Sequence, residues 1–233
     1  MNYMKEIMDT IDRIDKMIHD ARMKVESFRS DLDIPKNEKY SEYKQVLDTD
    51  YIHHSKVGDI ITLHHSTYGD IEFEIVGKDV DGKGLITLVG KDIVCQRKWH
   101  HTNQRVDYVD SDIRKWLNGE FLDGLDIKDQ VKIVRKMTGK IGGGVGEKIV
   151  SLEKVWLLSL DEITESRNSD IKYPTLFHDI YLVKKYNGYK REWWLRSPSI
   201  TSASIDAFYV KGWGDITKCR TNFEIGVVPC LCI

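Results

Sequence analysis

Apolar residues recur with a seven-residue period over the first thirty positions of the chain. With Met4 at heptad position a, the a positions are Met4, Ile11, Ile18 and Val25, and the d positions are Ile7, Ile14, Ala21 and Phe28. No Gly or Pro interrupts the run, and the remaining positions are mostly charged or hydrophilic. The pattern predicts one long helix with a coiled-coil seam over residues 1–30. Ile11 and Ile14 at adjacent a and d positions favour three strands over two, and Met8 and Met17 widen the stripe. The same stripe also fits a helix laid on its own globular domain, or one received by a different protein.

Residues 31–56 lose this period and read as a linker around Pro35 and Asn37. From Val57 the texture changes to strands. Asp59–His65, Asp70–Lys78 and Gly84–Val94 are β-type runs separated by the turns Ser66–Gly69 and Asp81–Gly82, which predicts an antiparallel meander. Asp110 or Ser111 is placed to cap a helix whose apolar face is Ile113, Trp116, Leu117 and Phe121, with Gly124 as its stop. A second helix is expected over Ile127–Lys136, a flexible loop over Gly139–Gly146, and a buried strand over Val155–Leu160. Trp193–Arg196, Ala207–Lys211 and Gly226–Ile233 read as closing strands. Strands, then helices, then strands predict an α+β domain over residues 57–233.

Composition narrows the class. Six Trp, eleven Tyr and six Phe in 233 residues exclude a disordered chain. Thirty-five basic against 37 acidic residues leave a formal charge of −2, so no global field draws the chain to nucleic acid. No apolar run is long enough to span a bilayer. Acids at Glu6, Asp9, Asp12, Asp15 and Asp20 do not fit a signal peptide, so synthesis in the cytoplasm is expected, with incorporation into a virion as a later possibility. Four Cys do not make a disulfide scaffold.

Candidate chemistry is sparse. The loop Ile141–Lys148 (IGGGVGEK) does not fit the phosphate-loop spacing in any register. His53–His54, His64–His65 and His100–His101 are pairs, and neighbours in a strand face opposite ways, so each pair is expected to offer at most one metal ligand. No HxH, HExxH or CxxC spacing is present, and the reading assigns no metal, no cofactor and no catalytic residue. Cys230 and Cys232 share a strand face and fit either a soft-metal pair or small core residues beside Val227, Val228, Leu231 and Ile233.

The most specific stretch is Trp193–Pro198 (WWLRSP), followed by Gly226–Leu231 (GVVPCL). Together with Ile71–Asp79, Gly84–Val94, Asp112–Leu122, Val155–Ile163 and the Tyr209–Val210 strand, it resembles a bacterial and phage domain of uncharacterised function with the pattern WWLRSP…GVRPAL. The resemblance covers residues 57–233 and implies a C-type lectin-like fold, related to the variable proteins of diversity-generating retroelements and to formylglycine-generating enzymes. Val228 and Cys230 stand where the pattern has Arg and Ala. The calcium-binding sugar triplets of true C-type lectins are absent. In the Trp193–Arg196 strand, Trp193 and Leu195 should share one face and Trp194 and Arg196 the other, with one Trp filling the core. The first and last strands, Asp59–His65 and Gly226–Ile233, should lie side by side.

Two function classes follow. The first is a non-enzymatic binding or structural module on an oligomeric stalk, such as a phage virion appendage, decoration protein or surface adhesin recognising a protein or glycan. The alternative is a copper oxidase of the formylglycine-generating kind using Cys230 and Cys232. The resemblance implies that ligand contacts lie between Ser199 and Phe223. Thr201, Ser202, Ser204, Asp206, Asp215 and Asn222 offer adaptable hydrogen bonding there, Phe208, Trp213 and Phe223 offer rigid apolar area, and Lys218 and Arg220 suit an acidic partner. The other reading places Phe208 and Trp213 in the core.

Overall fold

The computed structural model describes residues 55–78, 84–102, 104–141, 147–163, 182–199 and 205–233. The heptad positions Met4–Phe28, nearly all of the linker, His53–His54 and the turn at Asp81–Gly82 lie outside the described residues. Those that are described fall within one compact unit, Gln45–Ile233.

The meander forms as the alternation dictates. β1 (Ile60–His65) and β2 (Gly69–Lys78) bury every second residue, among them Ile61, Leu63, Phe73 and Ile75, and β2 pairs onward with β3 (Ile86–Gly90). The run predicted as one strand over Gly84–Val94 breaks after Gly90. There Lys91 N–H donates to Glu72 O, and β4 (Cys95–Lys98) begins in a different sheet.

The predicted first helix is present. Ser111 caps α1 (Asp112–Trp116), its Oγ accepting from Arg114 N at 3.3 Å. A π-helical turn (Leu117–Phe121) and a last turn (Leu122–Gly124) prolong it, and Ile113, Trp116, Leu117 and Phe121 are all buried. Gly124 has a role beyond stopping the helix. A Cβ there would stand 2.3 Å from the buried His65 ring, which is fixed by Nε2 on Phe121 O and Nδ1 on Thr67 N.

The second predicted helix is absent. Asp126–Gln130 is a turn, and β5 (Val134–Gly139) pairs with β6 (Lys148–Glu153). The i, i+4, i+7 spacing of Ile127, Val131 and Val134 fits a helix, yet from Val134 on burial alternates through Lys136 and Thr138. A buried Lys and Thr hide a strand period from a hydrophobic reading. The expected Val155–Leu160 strand is only β7 (Val155–Trp156), because Leu160 opens the short helix α2 (Leu160–Ile163).

Next come the hairpin β8 (Lys184–Tyr186) and β9 (Tyr189–Arg191), then β10 (Trp193–Pro198), β11 (Asp206–Val210), β12 (Ile216–Arg220), β13 (Glu224–Val227) and β14 (Cys230–Cys232). One five-stranded sheet runs β1-β2-β3-β14-β7, and a second runs β12-β11-β10-β13-β4. The closing segment is therefore two strands, and Val228–Pro229 carries the chain between sheets. The expected pairing of the first strand with the last is not observed. β14 lies between β3 and β7, and β2 and β3 separate it from β1. The fold is sheet-rich α+β, and among the described residues no helix is long and apolar enough to cross a membrane.

The WWLRSP strand occupies the middle of the second sheet. Trp193, Trp194, Leu195 and Arg196 are all buried, so both Trp residues fill the core rather than one. Trp194 joins a cluster with Phe73, Leu88, Trp99, Phe121 and Leu231, while Trp193 and Leu195 join another with Trp156, Val210, Val228, Cys230 and Cys232. The parallel pairing of Trp193 with Gly226 makes the two halves of the sequence signature adjacent strands. Gly226 N–H donates to Glu192 O, and a Cβ on Gly226 would stand 2.6 Å from that oxygen and 2.7 Å from Ile93 Cδ1.

Candidate functional site

Arg196 is anchored, not displayed. Its guanidinium donates to Leu157 O (2.8 Å), Met137 O (3.2 Å), Thr138 Oγ1 (3.1 Å) and the carboxylate of Glu162. Glu162 also accepts from Ser159 N (2.9 Å) while its own N–H donates to Ser159 Oγ (3.1 Å), a reciprocal capping box on α2. Lys136 Nζ completes the group at 3.3 Å from Glu162 Oε1 and 4.0 Å above the Trp156 ring. Burial alone would raise the Glu162 pKa, but the Arg196 and Lys136 charges hold it down at about 2. The spacing Ser159-x-x-Glu162 was the available sequence signal for this network. Its chemistry is that of a scaffold: one buried carboxylate is shared by two buried cations.

The segment expected to carry ligand contacts separates into parts. Thr201, Ser202 and Ser204 lie outside the described residues. Asp206 stands opposite Arg220 and Phe208 opposite Lys218 across β11–β12. Phe208 is half-buried and packs on the core cluster of Trp193, which favours scaffold for that residue. Lys218 and Arg220 are exposed, and Lys218 Nζ reaches Ser199 Oγ at 3.3 Å. Asn222 is half-buried, its Oδ1 without a hydrogen-bond partner.

Trp213 is not core. Trp99, Trp116, Trp156, Trp193 and Trp194 are buried, whereas Trp213 is 66% exposed in the turn between β11 and β12. Its indole N–H donates to exposed Asp215 Oδ2 at 2.6 Å, and Lys211 Nζ lies 5.0 Å from the ring centroid. Gly214, at φ 103°, supplies the turn that L side chains rarely adopt. Gly212 lets this turn meet the β8–β9 hairpin, since a Cβ there would be 3.2 Å from Lys190 O. Phe223, 56% exposed, occupies the turn at the other end of β12. The two rings thus bracket the edge strand, whose five residues span roughly 17 Å of β geometry.

Beyond Phe223, β4 and α1 bring together a group that the spacing did not reveal. Trp99, buried and donating from Nε1 to Leu195 O at 3.0 Å, fixes the chain just past β4. His100 and His101 follow outside any strand, so the alternation expected of them does not apply. Both Nδ1 atoms turn to Asp112, the first residue of α1. His101 N–H and Nδ1 contact Asp112 Oδ2, and His100 Nδ1 stands 3.1 Å from the same oxygen. Burial holds the His100 pKa below the usual imidazole value, with Asp112 opposing and His101 adding to the shift. Asp112 sits below the ordinary carboxylate range, because contacts from His101 outweigh its partial burial. His101 and Asp112 line a groove of about 400 Å³ with Tyr68, Arg97, Lys98 and Glu224.

The other histidine pair in view, His64–His65, splits as the strand period requires, with His64 exposed on Asp70 (2.8 Å) and His65 buried. Cys230 and Cys232 share a face, as their spacing implies, but that face is core. Burial pushes the Cys230 thiol well above its ordinary pKa, and Cys232 Sγ meets Thr87 Oγ1 at 3.4 Å. Two thiols buried in the core, one of them held protonated, give no support to a copper pair.

Residues 84–233 match the family described as Domain of unknown function (DUF6273), and the chain belongs to that family. The match begins after β1 and β2 rather than at residue 57, and it takes in α1, WWLRSP and the closing GVVP. No curated protein and no solved structure matches the chain.

Proposed function

We propose that this chain is a non-enzymatic binding module of C-type lectin-like type, carried on an oligomeric N-terminal helix in the manner of a phage appendage, decoration protein or surface adhesin. The observation that carries the reading is Trp213, the open indole among five buried ones, pinned by Asp215 and Lys211 at one end of an edge strand. A pre-oriented aromatic loses little side-chain entropy when a partner covers it, which is how rigid anchors gain affinity. Phe223, Lys218 and Arg220 extend the same strip along β12. The buried Arg196 network supports a scaffold role for the signature, leaving recognition to the edge. The C-type lectin-like part of the reading rests on the WWLRSP…GVVP signature alone, whose two halves are adjacent strands, since the first strand does not pair with the last.

Trp213→Ala is expected to leave stability within about 0.5 kcal/mol, as for an exposed side chain away from the core. The same substitution should abolish retention on whichever glycan or protein of a binding array holds the wild type. A variant that binds as well as the wild type, or one that unfolds, would remove Trp213 from the recognition surface. The helix has its own test. Light scattering should give a trimer for the full chain and a monomer for a chain beginning at Lys56, because a lone helix of this length is marginal in water. A monomer in both samples would rule out the homotrimer.

A further inference from the structure

We propose that His100, His101 and Asp112 form a binding site for a first-row divalent metal ion, opening on the groove between β4 and α1. Their donor atoms all lie within 4.8 Å of one another. Ligand atoms around a tetrahedral zinc ion stand about 3.3 Å apart, so rotation of the exposed His101 ring would bring the three into range. Two imidazoles and one carboxylate suit zinc and its first-row neighbours, whereas calcium and magnesium call for oxygen and copper(I) for thiolates.

A second observation points to a ligand. The His100 side chain is 9% exposed, and its Nδ1 has no hydrogen-bond partner although Asp112 Oδ2 is 3.1 Å away. A buried nitrogen left unsatisfied beside a carboxylate is costly, and a cation between them would satisfy both. Thr102 Oγ1 and Asn222 Oδ1 are also without partners on the same junction, where His100 N–H donates to Thr221 O and Thr221 Oγ1 contacts Thr102 O. The junction is rigid, since Trp99 is fully buried and Ile113 N–H donates to Trp99 O at 3.1 Å. His101 and Asp112 face the groove, so an ion there would keep coordination positions for water or for an oxygen ligand.

The test is calorimetric titration of tag-free, chelator-treated full-length protein with Zn²⁺. Wild type should bind one equivalent that is missing in His101→Ala and in Asp112→Asn. Loss of a direct ligand should weaken that equivalent by more than the roughly 10- to 100-fold typical of outer-shell changes. His101 is exposed, so His101→Ala should fold, with the metal-free wild type's melting temperature as the control. Zn²⁺ should raise the melting temperature of wild type and not that of His101→Ala. Absence of saturable binding, or equal stoichiometry and affinity in His101→Ala, overturns the proposal.

Discussion

Glu162→Ala will cost about 3–5 kcal/mol of unfolding free energy, the usual penalty for removing one partner from a buried ion group. Arg196 and Lys136 would be left charged in a site where their side chains are 2% and 9% exposed. Equilibrium unfolding in urea measures the loss, and a change below about 1 kcal/mol would show that the network does not hold the fold together. Acid should reveal the same group. The folded-state pKa of Glu162 is about 2, below its ordinary 4.5, so its contribution is complete above the ordinary value and fades as pH falls toward 2. Wild type should therefore lose stability across that window, and Glu162→Gln should lose less over the same interval. Replacing Lys136, Glu162 and Arg196 together by apolar residues of similar volume should recover much of the single-variant loss, since no charge is then stranded.

Gly226→Ala will destabilise the domain by about 3 kcal/mol, although it adds a single methyl group. The new carbon would meet Glu192 O and Ile93 at distances no real contact tolerates, and Glu192 O is backbone bonded to Gly226 N–H. Relief would require β10 and β13 to separate. Gly119→Ala is the matched control, because its Cβ would meet nothing within 4 Å in a helical turn. That change should be neutral or stabilising by about 0.5–1 kcal/mol, as for Gly to Ala in a helix. Thermal or chemical melts of the two variants side by side give the answer, and equal stabilities would remove steric exclusion as the reason for glycine at this position.

What could be read from the chain follows the range of each interaction. Ser111 and the face Ile113, Trp116, Leu117 and Phe121 are local signals, and they predict α1 correctly. The alternation in β1 and β2 is local too. β5 and β6 were missed because their pairing spans a loop and because Lys136 and Glu153 are buried only through partners distant in sequence, Glu162 and Arg114. The placement of the last strand failed for the same reason: no residue in Gly226–Ile233 announces the change of sheet except Pro229. The exposure of the candidate residues was legible in part. Trp213 and Phe223 were named as candidates and are exposed, whereas Phe208 packs on the core. The His100–His101–Asp112 group escaped because strand alternation was applied to two residues that lie beyond the end of β4.

β10 belongs to both hydrophobic clusters, Trp194 to one and Trp193 and Leu195 to the other, and it has no free face. Stripping this strand therefore uncovers both clusters at once. An opening that removes β10 is costly, since it exposes apolar surface on both sides of the core. A protease or chaperone that reaches β10 would meet both clusters exposed, so damage to this one strand would register on both sides of the core.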